Sequence, residues 1–146
     1  MCMAITKSCV CGDQVSLHHL NSYLPEEAVV AIHCPGCDER VTVDPATMIE
    51  DNGWIIEYDM ELVAFRLAQR GIDASDITPE QVFDQGYSTW NGLTPTDGYD
   101  KAMELHEITA RTAGDKRRYF EEIKSWTRSR TQRLAEEGWR KARLAV

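Results

Sequence analysis

The chain has 146 residues, 42 % of them apolar and 27 % charged, with a formal net charge of −8. That suffices for one compact domain, or for a small module attached to a helical body, and the balance resembles that of ordinary globular chains. It leaves no room for a membrane-spanning helix, because no run approaches the roughly 18 apolar residues that one requires.

The opening MCMAITKSC lacks a basic start followed by an apolar stretch, so it does not read as a secretory signal and the expected compartment is the cytoplasm. Disulfides are disfavoured there, and clustered cysteines read as metal ligands or redox groups. There are five: Cys2, Cys9, Cys11, Cys34 and Cys37. Four form two close pairs and one is left over, which suits a single four-ligand site with Cys2 as a free terminal thiol. The charge is unevenly divided. Residues 1–115 carry 6 Lys+Arg against 20 Asp+Glu, a formal −14, and residues 116–146 carry 10 against 4, a formal +6. An acidic body with a basic tail points to an interaction segment.

The first region, residues 1–45, holds every cysteine. Val15 and Leu17 alternate with polar neighbours, as in a half-buried strand. Val29 to Ile32 is a short run rich in β-branched residues that leads into Cys34. Val41 and Val43 alternate after Cys37, and Pro45 closes the stretch. The pattern predicts a knuckle, a strand, a return strand, a second knuckle and a third strand.

The second region, residues 46–126, reads as a helical body. Asp51-Asn52-Gly53 signals a turn. Residues 57–70 favour helix, with Gly71 at the stop and apolar residues on two sides: Ile56, Met60, Val63 and Leu67 against Tyr58, Leu62 and Phe65. Thr78-Pro79-Glu80-Gln81 predicts a capped short helix ending near Gly86. Residues 87–92 read as loop, with Trp90 packing locally. Thr94 or Thr96 caps a helix through Tyr99, Ala102, Met103, Leu105 and Ile108, and Gly114 interrupts it. Tyr119, Phe120, Ile123 and Trp126 then recur at helical spacing as core candidates. Residues 127–146 form a basic C-terminal helical tail, with Leu134, Trp139 and Leu144 as spaced anchors for a protein partner. The whole predicts an α+β protein: a small three-stranded zinc ribbon followed by three or four helices, including a long C-terminal helix.

The cysteine spacing carries the chemistry. Structural zinc takes four soft ligands in a tetrahedron, thiolate foremost. Cys9-Val10-Cys11-Gly12 sets two thiols on one turn, with Gly12 free to take positive φ. Cys34-Pro35-Gly36-Cys37 is a knuckle whose backbone N–H groups point at sulfur. The stretch between the pairs is long enough for a two-stranded excursion that brings them together. The metal ligands are therefore Cys9, Cys11, Cys34 and Cys37, holding a structural Zn²⁺. Iron in a rubredoxin-like site is the alternative, since tetrahedral sulfur serves both metals, but the C-x-C departs from the usual two C-x-x-C knuckles. A thioredoxin-type redox pair needs a strand-to-helix context, whereas Asp38-Glu39-Arg40 and a strand pattern follow Cys37. His18, His19 and His33 lie in the same module and are able to replace a cysteine, though four thiols already suffice.

The pattern C-x-C-G … C-P-x-C resembles the zinc-ribbon class and, more narrowly, the small zinc-binding γ subunit of acetone and acetophenone carboxylases. The resemblance covers about residues 7–45. Asp38 stands where that family tends to have glycine, and the helical remainder shows no correspondence. What it implies is a structural zinc, because four protein ligands leave no open position for water.

No catalytic constellation competes. His106-Glu107 lacks the second histidine of a zinc protease, since Ala110 stands there. The pair Glu104 and Glu107 reads as solvated, and no Gly-Lys-Ser/Thr occurs for phosphate. Arg128, Arg130, Arg133, Arg140, Lys141 and Arg143 suit the chain's own acidic body, or an acidic protein partner, better than nucleic acid, which the acidic body repels. The functional expectation is a non-catalytic zinc-binding accessory protein or small subunit docking onto a larger cytoplasmic protein complex. The alternatives are a γ-type subunit of an ATP-dependent ketone carboxylase, an iron electron carrier, and a nucleic-acid-binding regulator.

Overall fold

The structure, a computed structural model, describes residues 2–9, 11–20, 23–37 and 41–146. The fold class is mixed α+β, with small sheets and a long C-terminal helix. The chain divides into two compact units, residues 1–91 and 92–146.

Unit 1 holds two three-stranded antiparallel sheets. In the first, strand β2 (Gln14–Leu20) lies between β1 (Cys2–Ser8) and β6 (Ser88–Trp90). In the second, β5 (Trp54–Tyr58) lies between β3 (Val29–His33) and β4 (Met48–Asp51). Alternation explains β2. Val15, Leu17 and His19 are buried on one face, which fixes the register Leu17 opposite Ile5 on one side and Trp90 on the other. The β4–β5 hairpin turns at Asn52-Gly53, both at positive φ. A side chain on Gly53 would meet the Pro35 ring at 2.8 Å, so only glycine lets this hairpin approach the second cysteine knuckle.

Two short helices cover the core. Helix α1 (Met60–Ala68) starts where the Asp59 carboxylate accepts the Leu62 N–H at 3.0 Å. Helix α2 (Pro79–Asp84) opens on a full capping box. Thr78 Oγ1 accepts the Gln81 N–H and Gln81 Oε1 accepts the Thr78 N–H, with Pro79 in the first turn. Leu17, Leu24, Ile32, Ile56, Tyr58, Val63, Leu67, Val82, Phe83 and Trp90 are each less than 3 % exposed and form one cluster.

Unit 2 is helical. Helix α3 (Asp97–Arg111) and helix α4 (Lys116–Glu137) are joined by a bend at residues 112–115, and Gly138 at φ +101° ends α4 before the short α5 (Arg140–Ala145). The Asp115 carboxylate caps α4 by accepting the Arg118 N–H at 3.0 Å. The inner seam is polar. Asp97 and Arg130 form a buried ion pair, the Trp126 indole and Arg133 both donate to Glu104, and the Arg130 guanidinium lies over the Trp126 ring.

Several sequence expectations change in detail. Residues 41–44 are irregular, not a third strand. The chain is strand, not helix, up to Tyr58, so Ile56 and Tyr58 reach the core from β5. Helix α1 is apolar on one side only, and Phe65 is 60 % exposed. Residues 88–90, read as loop, complete the first sheet because β2 offers a free edge there. Phe120 is 62 % exposed, and Tyr119, Ile123 and Trp126 are only half-buried, because α4 meets α3 through charged and polar side chains. Leu134, expected as an outward anchor, is buried within unit 2. Of the tail arginines, expected to pair either with the acidic body or with a partner, Arg130 is buried against Asp97 of that body.

Candidate metal centre

The two cysteine pairs arrive on different sheets. Cys9 follows β1 directly, and the turn into β2 carries Cys11 and Gly12. Cys9 N–H donates to the Asp13 carbonyl at 2.7 Å, Gly12 N–H donates to the Cys9 carbonyl at 2.9 Å, and Gly12 sits at φ +99°. Cys34 follows β3 directly, and Pro35 and Gly36 turn the chain so that Cys37 N–H donates to the Cys34 carbonyl at 3.3 Å. Asp38, where the carboxylase γ family tends to have glycine, and Val10 lie outside the described residues.

The structure brings the four sulfurs of Cys9, Cys11, Cys34 and Cys37 within 4.8 Å of one another. Sγ of Cys9 is 3.0 Å from that of Cys37, Cys11 is 3.1 Å from Cys34, and Cys34 is 3.4 Å from Cys37. A tetrahedron with zinc–sulfur bonds of about 2.3 Å has edges of about 3.8 Å, so changes of no more than about 1 Å in these separations fit the set around one ion. Cys9, Cys34 and Cys37 are buried, Cys11 is exposed, and Trp54 packs on the buried three. No histidine belongs to the cluster among the described residues. His19 is fully buried in the first sheet, and both ring nitrogens of His33 are buried without a hydrogen-bond partner among the described residues.

Electrostatics favour a cation here. Burial alone would raise the Cys9 pKa, but the backbone N–H groups of Cys11 and Cys34 and the Cys37 thiol outweigh it and bring the group down to about 6. The Cys34 thiol is pushed up, chiefly by proton sharing with Cys11 and then by burial, and Cys37 is pushed up by sharing with Cys9. Four thiols this close cannot all ionise against one another, whereas a divalent ion at their centre relieves the repulsion. The donor set, four soft sulfurs, suits zinc or iron and is poor for hard cations such as magnesium or calcium.

Comparison with protein-family models, curated proteins and solved structures yields no match. The functional reading therefore rests on the residues themselves.

The sequence did not single out Trp54. Its one signal was its place directly after the Asp51-Asn52-Gly53 turn, which the contact between Gly53 and Pro35 brings against the knuckle. Of the basic tail, Arg128 and Arg143 are exposed, while Arg133 is held by Glu104 at 3.0 Å. No helix among the described residues is long and apolar enough to cross a membrane.

Proposed function

We propose that the chain is a structural-zinc accessory protein, a small subunit that docks onto a larger protein complex. One observation supports the metal half of this reading above others: four cysteine sulfurs from two separate sheets converge within 4.8 Å. When bound, zinc supplies a cross-link and charge neutralisation, and a complete four-sulfur set leaves no position for water or substrate. The residues do the rest. Cys9 and Cys11 fix the β1–β2 turn, Cys34 and Cys37 fix the end of β3, and Trp54 shields the buried sulfurs from water.

The docking half is supported by unit 2. Tyr99, Met103, Phe120 and Leu144 are 49–71 % exposed there, alongside Arg128 and Arg143. Aromatic and arginine side chains are the types most used at interface hot spots. The narrower reading, a γ-type subunit of a ketone carboxylase, rests on C-x-C-G and C-P-x-C alone. Elemental analysis of full-length protein purified without chelator tests the metal: one zinc per chain is expected, and iron or no metal overturns it. A native pull-down with wild type and with Phe120→Ala/Leu144→Ala tests the docking. Retention of the same large partners by both proteins removes unit 2 from the reading, and recovery of carboxylase subunits selects the narrower one.

A further inference from the structure

The four sulfurs are not equivalent. Cys9, Cys34 and Cys37 are 3 %, 5 % and 8 % exposed, and the first of these accepts the Cys34 backbone N–H at 3.1 Å. Of the four, Cys11 alone is open to solvent, and among the described residues no atom beyond the adjoining ones lies within 4 Å of where a side chain on its neighbour Gly12 would stand. Its sulfur lies 3.1 Å from Cys34, on the other sheet. Cys2, also exposed, stands apart from the cluster.

We infer that Cys11 is where a two-electron oxidant of the peroxide class enters the cluster, and that Cys34 resolves the product as a Cys11–Cys34 disulfide. The inference rests on the metal reading above for its consequence, and on access and distance for its choice of residues. The Cys11 thiolate attacks hydrogen peroxide. The O–O bond breaks, a Cys11 sulfenic acid forms, and hydroxide leaves. The Cys34 thiolate then attacks the Cys11 sulfur, the S–O bond breaks, and a second hydroxide leaves. Two thiolates and one peroxide give one disulfide and two hydroxides, the sulfurs losing two electrons and the peroxide gaining them. The 3.1 Å gap must close to about 2.05 Å, a movement the exposed turn carrying Cys11 is placed to supply.

The outcome is specific to this arrangement. The disulfide withdraws two of four ligands, so the metal leaves, yet it spans the same two turns the metal joined, so the sheets stay tied. Cys9 and Cys37, 3.0 Å apart but buried, remain as a dithiol for a second equivalent. Thiol reductants reverse both steps.

The test uses full-length protein whose zinc content has been measured first. It receives one equivalent of hydrogen peroxide in the presence of a chromogenic zinc chelator. Free thiols are then alkylated, disulfides are reduced, and the newly freed thiols take a second label. Cleavage at Glu26 or Glu27 parts the two pairs, and fragment ions separate Cys9 from Cys11. The expected result is zinc release with the second label on Cys11 and Cys34, and recovery of zinc binding after a thiol reductant. Second label on Cys9 and Cys37 first, or label divided evenly over the four, overturns the assignment. Cys2→Ser should behave as wild type. Cys11→His, which keeps a ligand nitrogen at the exposed corner, should lose peroxide-driven zinc release, and release at the wild-type rate overturns the entry point. Should that variant fail to hold zinc, the label map of the wild-type protein decides alone. Starting protein without zinc overturns the metal reading, and the label map still decides which thiols react.

Discussion

The Trp90 indole donates to the Asp51 carboxylate at 2.8 Å, joining the last residue of β4 to the last residue of β6 with both side chains buried. This bond ties the second sheet to the first. Asp51→Ala leaves the indole N–H without its acceptor and should cost about 1–3 kcal/mol. Asp51→Asn keeps an acceptor and should cost less. Urea denaturation followed by tryptophan fluorescence checks this, and equal losses for the two variants would show that the bond is not what stabilises the junction.

Leu67 is fully buried on the inner face of α1, against the cluster that includes Val63 and Phe83. Leu67→Ala should destabilise unit 1 by about 2–5 kcal/mol, from lost burial and the cavity left behind. A midpoint shift corresponding to less than about 1 kcal/mol would contradict the packing described for this helix.

His19 lies in β2 opposite Ser88, fully buried, with neither ring nitrogen hydrogen-bonded to a described residue. Burial first, then the nearby Lys7 charge, lower its pKa from 6.5 to about 4, while Glu26 opposes and His18 adds a little. A lowered folded-state pKa means the unfolded chain takes up the proton first as pH falls. Stability linked to this group is therefore complete above about pH 6.5 and lost progressively towards pH 4, on the order of 3 kcal/mol in all. His19→Leu should flatten that part of the profile relative to wild type. Comparing the two proteins at each pH cancels the acid sensitivity of the cysteine site, and parallel curves would count against the buried histidine.

In unit 2, Arg130→Met strands the buried Asp97 carboxylate and should cost about 3–5 kcal/mol of helical stability, read as circular dichroism at 222 nm during denaturation. Gly92→Ala should act in the same direction, because a methyl group there collides with the same carboxylate. Wild-type melting of Arg130→Met would mean that the seam between α3 and α4 is held elsewhere.

Metal removal should act on unit 1 first. Cys34→Ser, or chelation of the wild type, should change the emission of Trp54, which packs on the sulfurs, while most helical signal from α3 and α4 persists. Simultaneous loss of both signals would show that the cysteine cluster supports the whole chain.

The sequence exposed the parts that depend on local rules. The cysteine spacing, the Thr78 capping box, the turn at Asn52-Gly53 and the break at Gly114 each reflect chemistry confined to a few neighbouring residues. What it hid depends on partners distant along the chain. Ser88–Trp90 has too few residues to signal a strand and becomes one because β2 presents an edge. Ile56 and Tyr58 fit a helical stripe as well as a strand, and the pairing with β3 and β4 decides between them. Phe120 was misplaced for a related reason: α4 meets α3 through the Arg130–Asp97 ion pair, so the aromatic side chain is left outside.

The place of β6 bears on how the chain is made. The first sheet is begun by residues near the start and finished by Ser88–Trp90, with the second sheet threaded between. During synthesis the β1–β2 hairpin therefore leaves the ribosome with its β2 edge unpaired, and that edge stays open until residue 90 emerges. Early capture of a metal ion by Cys9, Cys11, Cys34 and Cys37, all of which are synthesised long before β6, would hold the nascent chain in register through that interval and keep the open edge from a neighbouring chain.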